Sequence, residues 1–256
     1  MKIIVAKDAV GLGEAAALRA AQIINKAIEK KGHARIVLST GASQFTMFEA
    51  ISRKDVDWNK VEMFHLDEYV DLPITHPASF RKYLQERFID IVKPGKVNLV
   101  SGNPADIPAL TASLRSDVID LGMIGIGVNG HIAFNDPPAD LDTREAFITV
   151  NLDEVCRTQQ LNEGWFPTLD DVPKQAISMT VFQILRCEKI LSCVPYAVKA
   201  NAVRDALTLR PADYIPAAFL KTKPDWELYV DVDSIALTDE TKIIPGDGDS
   251  CEIVRL

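Results

Sequence analysis

Short apolar runs alternate with longer segments of helical periodicity along the first half of the chain. Residues 3–6 and 35–39 are apolar runs, rich in β-branched side chains, with the length of buried strands. Between them, apolar side chains recur at a spacing that predicts one long helix. The apolar positions of this helix are Ala17, Ala20, Ala21, Ile24, Ala27 and Ile28.

The same alternation continues as far as residue 125. A helix is predicted over 44–51 and another is predicted to open at Pro77, while further strands are predicted over 61–66, 96–100 and 118–125. Strands that are apolar on both faces fit a parallel sheet covered by helices on both sides. The pattern therefore predicts an α/β fold with a Rossmann-like, doubly wound, mainly parallel sheet. In such sheets ligands bind outside the carboxyl ends of the strands.

The pattern breaks between about residues 137 and 175 into a polar, acidic stretch. We interpret this stretch as a helical or irregular lid inserted into one domain spanning residues 1–256. After it the α/β alternation is predicted to return, with strands over 176–181, 189–194 and 227–232 and a helix over 197–207. The acidic residues 247–252 are predicted to form a solvated terminus.

Length and charge exclude several classes of function. A chain of 256 residues fits one α/β domain. Its net charge of −8 and the absence of a dense Lys/Arg run argue against nucleic acid as a partner. The first residues turn polar too soon for a signal peptide or a membrane span, so we expect a soluble, cytoplasmic protein with no membrane association. The sequence leaves open whether the chain forms a homo-oligomer.

Cysteine and histidine are too sparse and too scattered to indicate a metal site. The four cysteines lack CxxC spacing, which favours reduced side chains that pack in the interior. The four histidines show no paired spacing with one another or with cysteine. We therefore expect no metal.

A first candidate site lies between the strand over 35–39 and the following helix. The run Ser39-Thr40-Gly41-Ala42-Ser43 combines small hydroxyl side chains with a glycine. Free backbone N–H groups at the helix start, together with these hydroxyls, can hold a phosphate. The alternative is a plain turn between strand and helix in which Ser43 caps the helix.

A second candidate is the carboxylate pair that ends the strand over 61–66. Asp67 and Glu68 are adjacent, and adjacent side chains on a strand point to opposite sides, so only one of them can face a given pocket. A carboxylate at this end of the sheet suits a general base that removes a proton next to a carbonyl group. The alternative is a solvated loop.

A third candidate is the glycine-rich turn that follows the strand over 118–125. It contains Asn129, Gly130 and His131, and Asp136 follows five residues after the histidine. The GxGxxG spacing also matches a dinucleotide-binding turn, but that turn should follow the first strand of its unit, whereas this one follows about the fifth. A histidine between an amide and a carboxylate can act as an oriented acid–base group.

These motifs together resemble the glucosamine-6-phosphate deaminase (isomerase) family. The resemblance rests on the runs over 66–70, 76–80 and 130–135, which read LDEYV, HPASF and GHIAFN, and its order and spacing extend from the Thr40-Gly41 loop to Lys199. It implies an aldose–ketose isomerisation with deamination, in which glucosamine 6-phosphate and water give fructose 6-phosphate and ammonia without a cofactor.

The resemblance also implies roles for individual residues. Asp67 matches the base that moves a proton between C2 and C1, and His131 matches the residue that opens the pyranose ring. Thr40, Gly41, Ala42 and Ser43 fall in the phosphate loop. Lys199 matches a phosphate-binding lysine, Gly130 precedes the catalytic histidine, and Arg157 is expected to supply a second cation for the phosphate because its planar guanidinium suits that group.

Two departures from the family pattern concern the proton-transfer groups. Asn129 and Asp136 stand where the family has Asp and Glu. An asparagine at the first place also resembles the galactosamine-6-phosphate isomerase branch, so the sugar epimer stays open. The basic cluster of allosteric family members is replaced by the mixed run Leu141–Glu145, so we do not expect activation by an acetylated sugar phosphate.

Two alternative functions share the predicted fold. A 6-phosphogluconolactonase-like hydrolase also has a Gly-His pair after this strand, but it lacks the LDEYV match and the long lid. A non-catalytic sugar-phosphate sensor would need a DNA-binding helix-turn-helix, and this chain begins directly with its first strand. Fold alone does not decide among these functions, whereas the site residues do.

Overall fold

The strands form two separate sheets. A computed structural model describes residues 1–162, 164–246 and 250–256. The strands are β1 (Lys2–Ala6), β2 (Ala34–Leu38), β3 (Val61–His65), β4 (Asp67–Tyr69), β5 (Lys96–Asn98), β6 (Leu121–Met123), β7 (Phe147–Asn151), β8 (Gln175–Met179), β9 (Lys189–Val194), β10 (Glu227–Asp231) and β11 (Glu252–Arg255). Eight of them form a parallel sheet in the order β11-β1-β10-β9-β6-β2-β3-β5.

Helices cover both faces of the parallel sheet. They are α1 (Ala9–Lys31), α2 (Phe45–Ile51), α3 (Phe80–Leu84), α4 (Asp90–Val92), α5 (Ile107–Arg115), α6 (Glu154–Asn162), α7 (Val181–Ile184) and α8 (Ala200–Thr208). Side chains of α1, α2 and α3 pack with Ile36 and Leu38 of β2 in one core, whereas those of α5, α7 and α8 pack with Val37 in the other. Because successive side chains of a strand face opposite sides, both faces of β2 are buried. The predicted doubly wound α/β fold is confirmed.

The predicted helix over residues 17–28 is the central part of α1. Asp8 caps its start by accepting a hydrogen bond from the N–H of Gly11 at 2.8 Å. Gly32 ends it with a φ of 84°, a conformation that glycine adopts without steric cost. None of the described helices is long and apolar enough to cross a membrane.

The order of the strands indicates where on the parallel sheet a ligand should bind. The chain runs from β2 through β3 to β5 in one direction, then returns to β6 beside β2 and continues through β9 to β10 in the other direction. The direction therefore reverses between β2 and β6. In doubly wound sheets the crevice at this reversal, outside the carboxyl ends of the strands, is where ligands bind.

The second sheet was not predicted. It is antiparallel with the order β4-β8-β7, so residues 176–179, which were expected to rejoin the main sheet, pair with β4 and β7 instead. Buried and more exposed side chains alternate along β7, as expected for a strand with one face toward solvent. The 137–175 segment therefore contains a strand as well as α6, and its role as a lid stays a prediction.

The predicted start of one helix was wrong, and the carboxyl-terminal segment contains a strand that was not predicted. The helix expected to open at Pro77 begins at Phe80, because Ser79 lies in extended conformation and its hydroxyl oxygen caps the helix by accepting from the N–H of Lys82. In the terminus that was predicted to be solvated, Ser250 and Glu252 are exposed. Residues 247–249 lie outside the described chain, but Glu252–Arg255 pairs with β1 as the edge strand of the main sheet.

The amino end of β2 is held by the buried side chain of Arg35. Its Nε donates to Glu62 at 2.7 Å, and its terminal nitrogens donate to the carbonyls of Ser113 and Leu114 at 2.6 and 3.0 Å. Arg35→Met should lower the free energy of unfolding by about 2 kcal/mol, less than is usual for a broken buried ion pair because Glu62 keeps Lys96 at 2.7 Å. Urea unfolding measures this change.

The matched control for Arg35 is Arg53→Met. Arg53 pairs with Glu14 and Glu49 at the surface, where such ion pairs contribute little. The control should change the unfolding free energy by less than about 1 kcal/mol. Equal effects from the two substitutions would contradict a structural role for the buried guanidinium.

Candidate active site

The predicted phosphate loop follows β2 directly. The N–H of Ser39 donates to the carbonyl of Met123 at 3.0 Å, and the Ser39 hydroxyl accepts from the N–H of Gly125 at 2.9 Å, which binds the loop to the end of β6. Gly41 has a φ of 103°, which favours glycine. Ser43 lies inside a short 3₁₀ helix and makes no capping hydrogen bond to α2, so the alternative of a capping serine is wrong.

Glycines in the turn after β6 allow the ring of His131 to lie against the backbone. The N–H of Gly127 donates to the carbonyl of His131 at 2.9 Å, and the N–H of Gly130 donates to that of Gly127 at 3.0 Å. A Cβ atom on Gly127 would lie 2.2 Å from Cε1 of His131. Gly130 has a φ of 81°, which closes the turn. These glycines therefore shape the turn around the imidazole.

Asn129, His131 and Asp136 form one polar cluster. Nδ1 of His131 lies 3.0 Å from Oδ1 of Asp136, an ion-pair distance, although the ring N–H is not aligned as in a strong hydrogen bond. Asn129 donates through Nδ2 to the same carboxylate oxygen at 2.9 Å and accepts the backbone N–H of His131 at 3.2 Å. The amide of Asn129 thus uses both its donor and its acceptor.

The electrostatic state of Asp136 follows from these contacts. Partial burial would raise its pKa, but hydrogen bonding with His131 and the charge of that side chain, together with the donor of Asn129, outweigh burial. The net result is a lowered pKa. Asp136 is therefore a carboxylate at neutral pH and can stabilise positive charge on His131.

The second sheet carries Asp67 to this cluster. Asp67 begins β4 and is in register with Ser178 of β8. The hydroxyl of Ser178 accepts from the N–H of Phe134 at 3.0 Å and from Nδ2 of Asn135 at 3.3 Å, so it anchors the turn that carries His131 and Asp136. Asp67 is 7% exposed.

Burial makes Asp67 an unusually weak acid. Loss of water around the carboxyl group is the largest cause, and the nearby charges of Glu68 and Asp136 add to it. Together they raise the pKa of Asp67 to about 8. Asp136 therefore lies within electrostatic reach of Asp67, and a raised pKa of this kind is typical of catalytic carboxylates.

Glu68 faces the opposite side of β4, as the alternation of strand side chains predicts. Its carboxylate is fully buried and accepts from the hydroxyl of Ser79 at 2.7 Å and from the N–H of Arg81 at 2.9 Å. Nε of Arg81 also donates to it at 3.1 Å. Glu68 therefore fixes α3 against β4, and Asp67 is the carboxylate on the side of His131.

Lys199 and Arg157 occupy different surroundings. Lys199 is half-buried and lies in the segment after β9. The carboxyl end of β9 is bonded to the residue after the phosphate loop, because Nε2 of Gln44 donates to the carbonyl of Cys193 at 3.2 Å. Arg157 instead donates to the carbonyls of Leu169 and Val172 within the 137–175 segment. A phosphate contact would require Arg157 to leave these carbonyls, so that role stays a prediction.

Several residues that shape the site were not predicted from the sequence. Ser178 is a buried hydroxyl between Ile177 and Met179, and a polar residue inside an apolar strand was the signal that could have revealed it. Tyr83 lies in the helix that was predicted to open at Pro77, and no role in the site was predicted for it. Its hydroxyl donates to the carbonyl of Gly41 at 2.8 Å, a contact that no spacing in the sequence predicts.

Comparison with known proteins identifies the family of the chain. The family model of glucosamine-6-phosphate isomerases/6-phosphogluconolactonase matches residues 7–228. Glucosamine-6-phosphate deaminase of Halothermothrix orenii is 32% identical over 88% of this chain and 94% of its own. That of Exiguobacterium sibiricum is 34% identical over 81% of this chain and 82% of its own.

Solved structures give the same result. A monomeric glucosamine-6-phosphate deaminase is 29% identical, superposes with a TM-score of 0.82, and covers 93% of this chain with all of its own. A 6-phosphogluconolactonase from Shewanella baltica has a TM-score of 0.72 over 90% of this chain and 98% of its own, but at 20% identity it shows the fold alone. The chain therefore belongs to the glucosamine-6-phosphate isomerase/6-phosphogluconolactonase family.

Proposed function

We propose that this enzyme converts an amino-sugar 6-phosphate and water into a ketose 6-phosphate and ammonia. The observation that carries the proposal is a pair of carboxyl groups with opposite pKa shifts at the carboxyl ends of the strands: Asp136 lies 3.0 Å from the imidazole of His131, and its charge helps to raise the pKa of Asp67. Pairs of titratable groups whose pKa values are pushed apart are typical of acid–base catalysis.

In the proposed reaction Asp67 transfers a proton between C2 and C1 of the sugar. A pKa of about 8 keeps its carboxylate basic enough to remove such a proton while part of the population is ionised near neutral pH. His131 handles the ring-oxygen proton during ring opening. The adjacent carboxylate of Asp136 stabilises the imidazole when it carries that proton.

The phosphate is proposed to bind between the 40–43 loop and Lys199. Thr40 and Ser43 supply hydroxyl groups, and Gly41 and Ala42 lie exposed at the carboxyl end of β2. Lys199 follows β9, and only β6 separates β9 from β2 in the sheet. His131 lies in the turn that follows β6. The sugar would therefore extend from the phosphate loop toward Asp67 and His131.

The sugar epimer is proposed from Asn129. An asparagine at this position resembles the galactosamine-6-phosphate isomerase branch. Galactosamine 6-phosphate is therefore the second substrate to test beside glucosamine 6-phosphate. The protein should be incubated with each sugar phosphate, and ketose phosphate and ammonia should be assayed separately. Ammonia from either substrate supports the proposal. If neither amino-sugar phosphate yields ammonia and the protein hydrolyses 6-phosphogluconolactone, the proposed deaminase activity is wrong and the protein is a lactonase.

Lys199→Ala should raise KM for the phosphorylated sugar about tenfold and leave kcat within about threefold. A charged contact to the phosphate contributes equally in the ground state and the transition state, so its loss weakens uniform binding. Steady-state kinetics on the active sugar phosphate measures both constants. Lys174→Ala, at an exposed lysine before β8, is the control and should change neither. An unchanged KM in Lys199→Ala would place the phosphate elsewhere.

A further inference from the structure

The phosphate loop, residues 40–43, accepts a hydrogen bond from a side chain of α3. The hydroxyl of Tyr83 donates to the carbonyl of Gly41 at 2.8 Å, and the N–H of Gln44 donates to the same carbonyl at 3.0 Å. The two donors fix the direction of this carbonyl group.

Fixing that carbonyl also fixes the next N–H group. In a trans peptide the C=O and N–H bonds point to opposite sides, so the orientation of the Gly41 carbonyl sets that of the Ala42 N–H. Gly41 has no side chain to limit its rotation, and its φ of 103° lies in a region that glycine enters freely. The peptide between Gly41 and Ala42 is thus a part of the loop that needs an external restraint.

Tyr83 is itself rigidly placed. Its ring stacks on Phe45 at a centroid distance of 5.7 Å with an interplanar angle of 20°, and the guanidinium of Arg87 lies 3.9 Å from the centroid of Phe45. Burial raises the pKa of Tyr83 above its usual range. Its hydroxyl is therefore protonated, and able to donate, at neutral pH.

The same helix is attached to the strand of the catalytic base. The carboxylate of Glu68 accepts from Ser79 and Arg81 at the start of α3, one turn before Tyr83. Asp67 is the neighbour of Glu68 in β4. The segment from Glu68 to Tyr83 therefore connects the base to the phosphate loop through hydrogen bonds at both ends.

We propose that Tyr83 is a positioning residue that holds the Gly41–Ala42 peptide in the orientation that binds the substrate phosphate, at a fixed distance from Asp67. This inference rests on the proposed function. Tyr83 touches neither the reacting carbons nor the proton-transfer groups in this assignment. It therefore acts on phosphate binding and leaves the chemical step unchanged.

The test is Tyr83→Phe, which removes only the hydroxyl group. The aromatic stack with Phe45 is kept, and the Gly41 carbonyl keeps its bond from Gln44, so the variant should fold. We expect KM for the active amino-sugar phosphate to rise about 3- to 10-fold, the equivalent of one hydrogen bond, with kcat within about twofold. Tyr214→Phe, at an exposed tyrosine outside the site, is the matched control and should match wild type.

A second measurement separates this role from a general structural one. Titration calorimetry with inorganic phosphate and with fructose 6-phosphate should show both ligands binding about 3- to 10-fold more weakly to Tyr83→Phe than to wild type. Unchanged KM and unchanged binding of both ligands would overturn the inference, and so would a fall in kcat with unchanged KM. If wild type releases no ammonia, the proposed function fails, and the calorimetry still decides the role of Tyr83.

Discussion

Asp67→Asn should lower kcat by about a thousandfold or more while KM for the amino-sugar phosphate changes little. The amide keeps the size of the side chain and one acceptor but cannot accept the proton from the sugar carbon, and a positioned base typically contributes factors of this order. Steady-state kinetics with ammonia detection measures both constants. Asp71→Asn, at an exposed turn beyond β4, is the control and should remain active.

The pH dependence of wild type tests the same residue. Because the base must be ionised and its pKa is about 8, kcat/KM should rise about tenfold per pH unit below pH 8 and level off above it. The residual activity of Asp67→Asn should lack this limb. A wild-type profile that is flat from pH 6 to pH 8 would contradict an elevated pKa at the base.

The free energy of unfolding should fall as pH rises, whereas kcat/KM should increase. Between the ordinary pKa of an aspartic acid, 3.8, and the folded value of about 8, the native state keeps a proton that the unfolded state releases. Unfolding then becomes more favourable as pH rises through this window. Asp67→Asn lacks the titrating group, so it should exceed wild type in unfolding free energy at pH 9 by on the order of a few kcal/mol, and by much less at pH 4. Equal stabilities at pH 9 would contradict this reading.

The parallel sheet could be predicted from sequence because β1, β2 and β9 are apolar runs that are each followed by a helical segment. The second sheet could not. β4 has three residues and continues directly from β3 through Leu66, so the two strands read as one run. β7 lies in a polar stretch, and β8 is as apolar as a strand of the main sheet. Only the pairing of strands in the folded protein shows which of these segments belong to the second sheet.

The site was predictable where local geometry decides it and unpredictable where the tertiary contacts do. Strand alternation predicted that only one of Asp67 and Glu68 faces a given pocket, and the structure has Glu68 bound to Ser79 and Arg81 at the start of α3. The choice of Asp67 as the base came from the family resemblance. Arg157 was assigned by its chemistry, but a guanidinium also suits carbonyl oxygens, and the chain offers it those of Leu169 and Val172. The bond between Asn129 and Asp136 depends on how the turn folds back over seven residues, which spacing does not specify.

The substitution that restores the family residue at position 129 should reduce activity. In Asn129→Asp the Nδ2 donor that Asp136 accepts at 2.9 Å is replaced by an oxygen, which places two carboxylates in contact. Their repulsion raises the pKa of Asp136 above its wild-type value, so this carboxylate is less able to support charge on His131. The loss of a hydrogen bond to a charged group, together with this repulsion, should lower kcat/KM about 100-fold.

Asn129→Ala separates repulsion from the loss of the donor. The alanine variant removes the amide but adds no charge, so it should retain more activity than Asn129→Asp. The rise of kcat/KM with pH should shift to higher pH only in the aspartate variant, because only that variant adds a negative charge to the site. Combining Asn129→Asp with Asp136→Glu, the full family pair, should recover part of the loss, because the longer side chain can move its carboxylate away. The two positions would then be coupled through the direct contact between their side chains. A gain from Asn129→Asp alone on either amino sugar would show that the wild-type amide limits ring opening, and that this site is not rebuilt around asparagine.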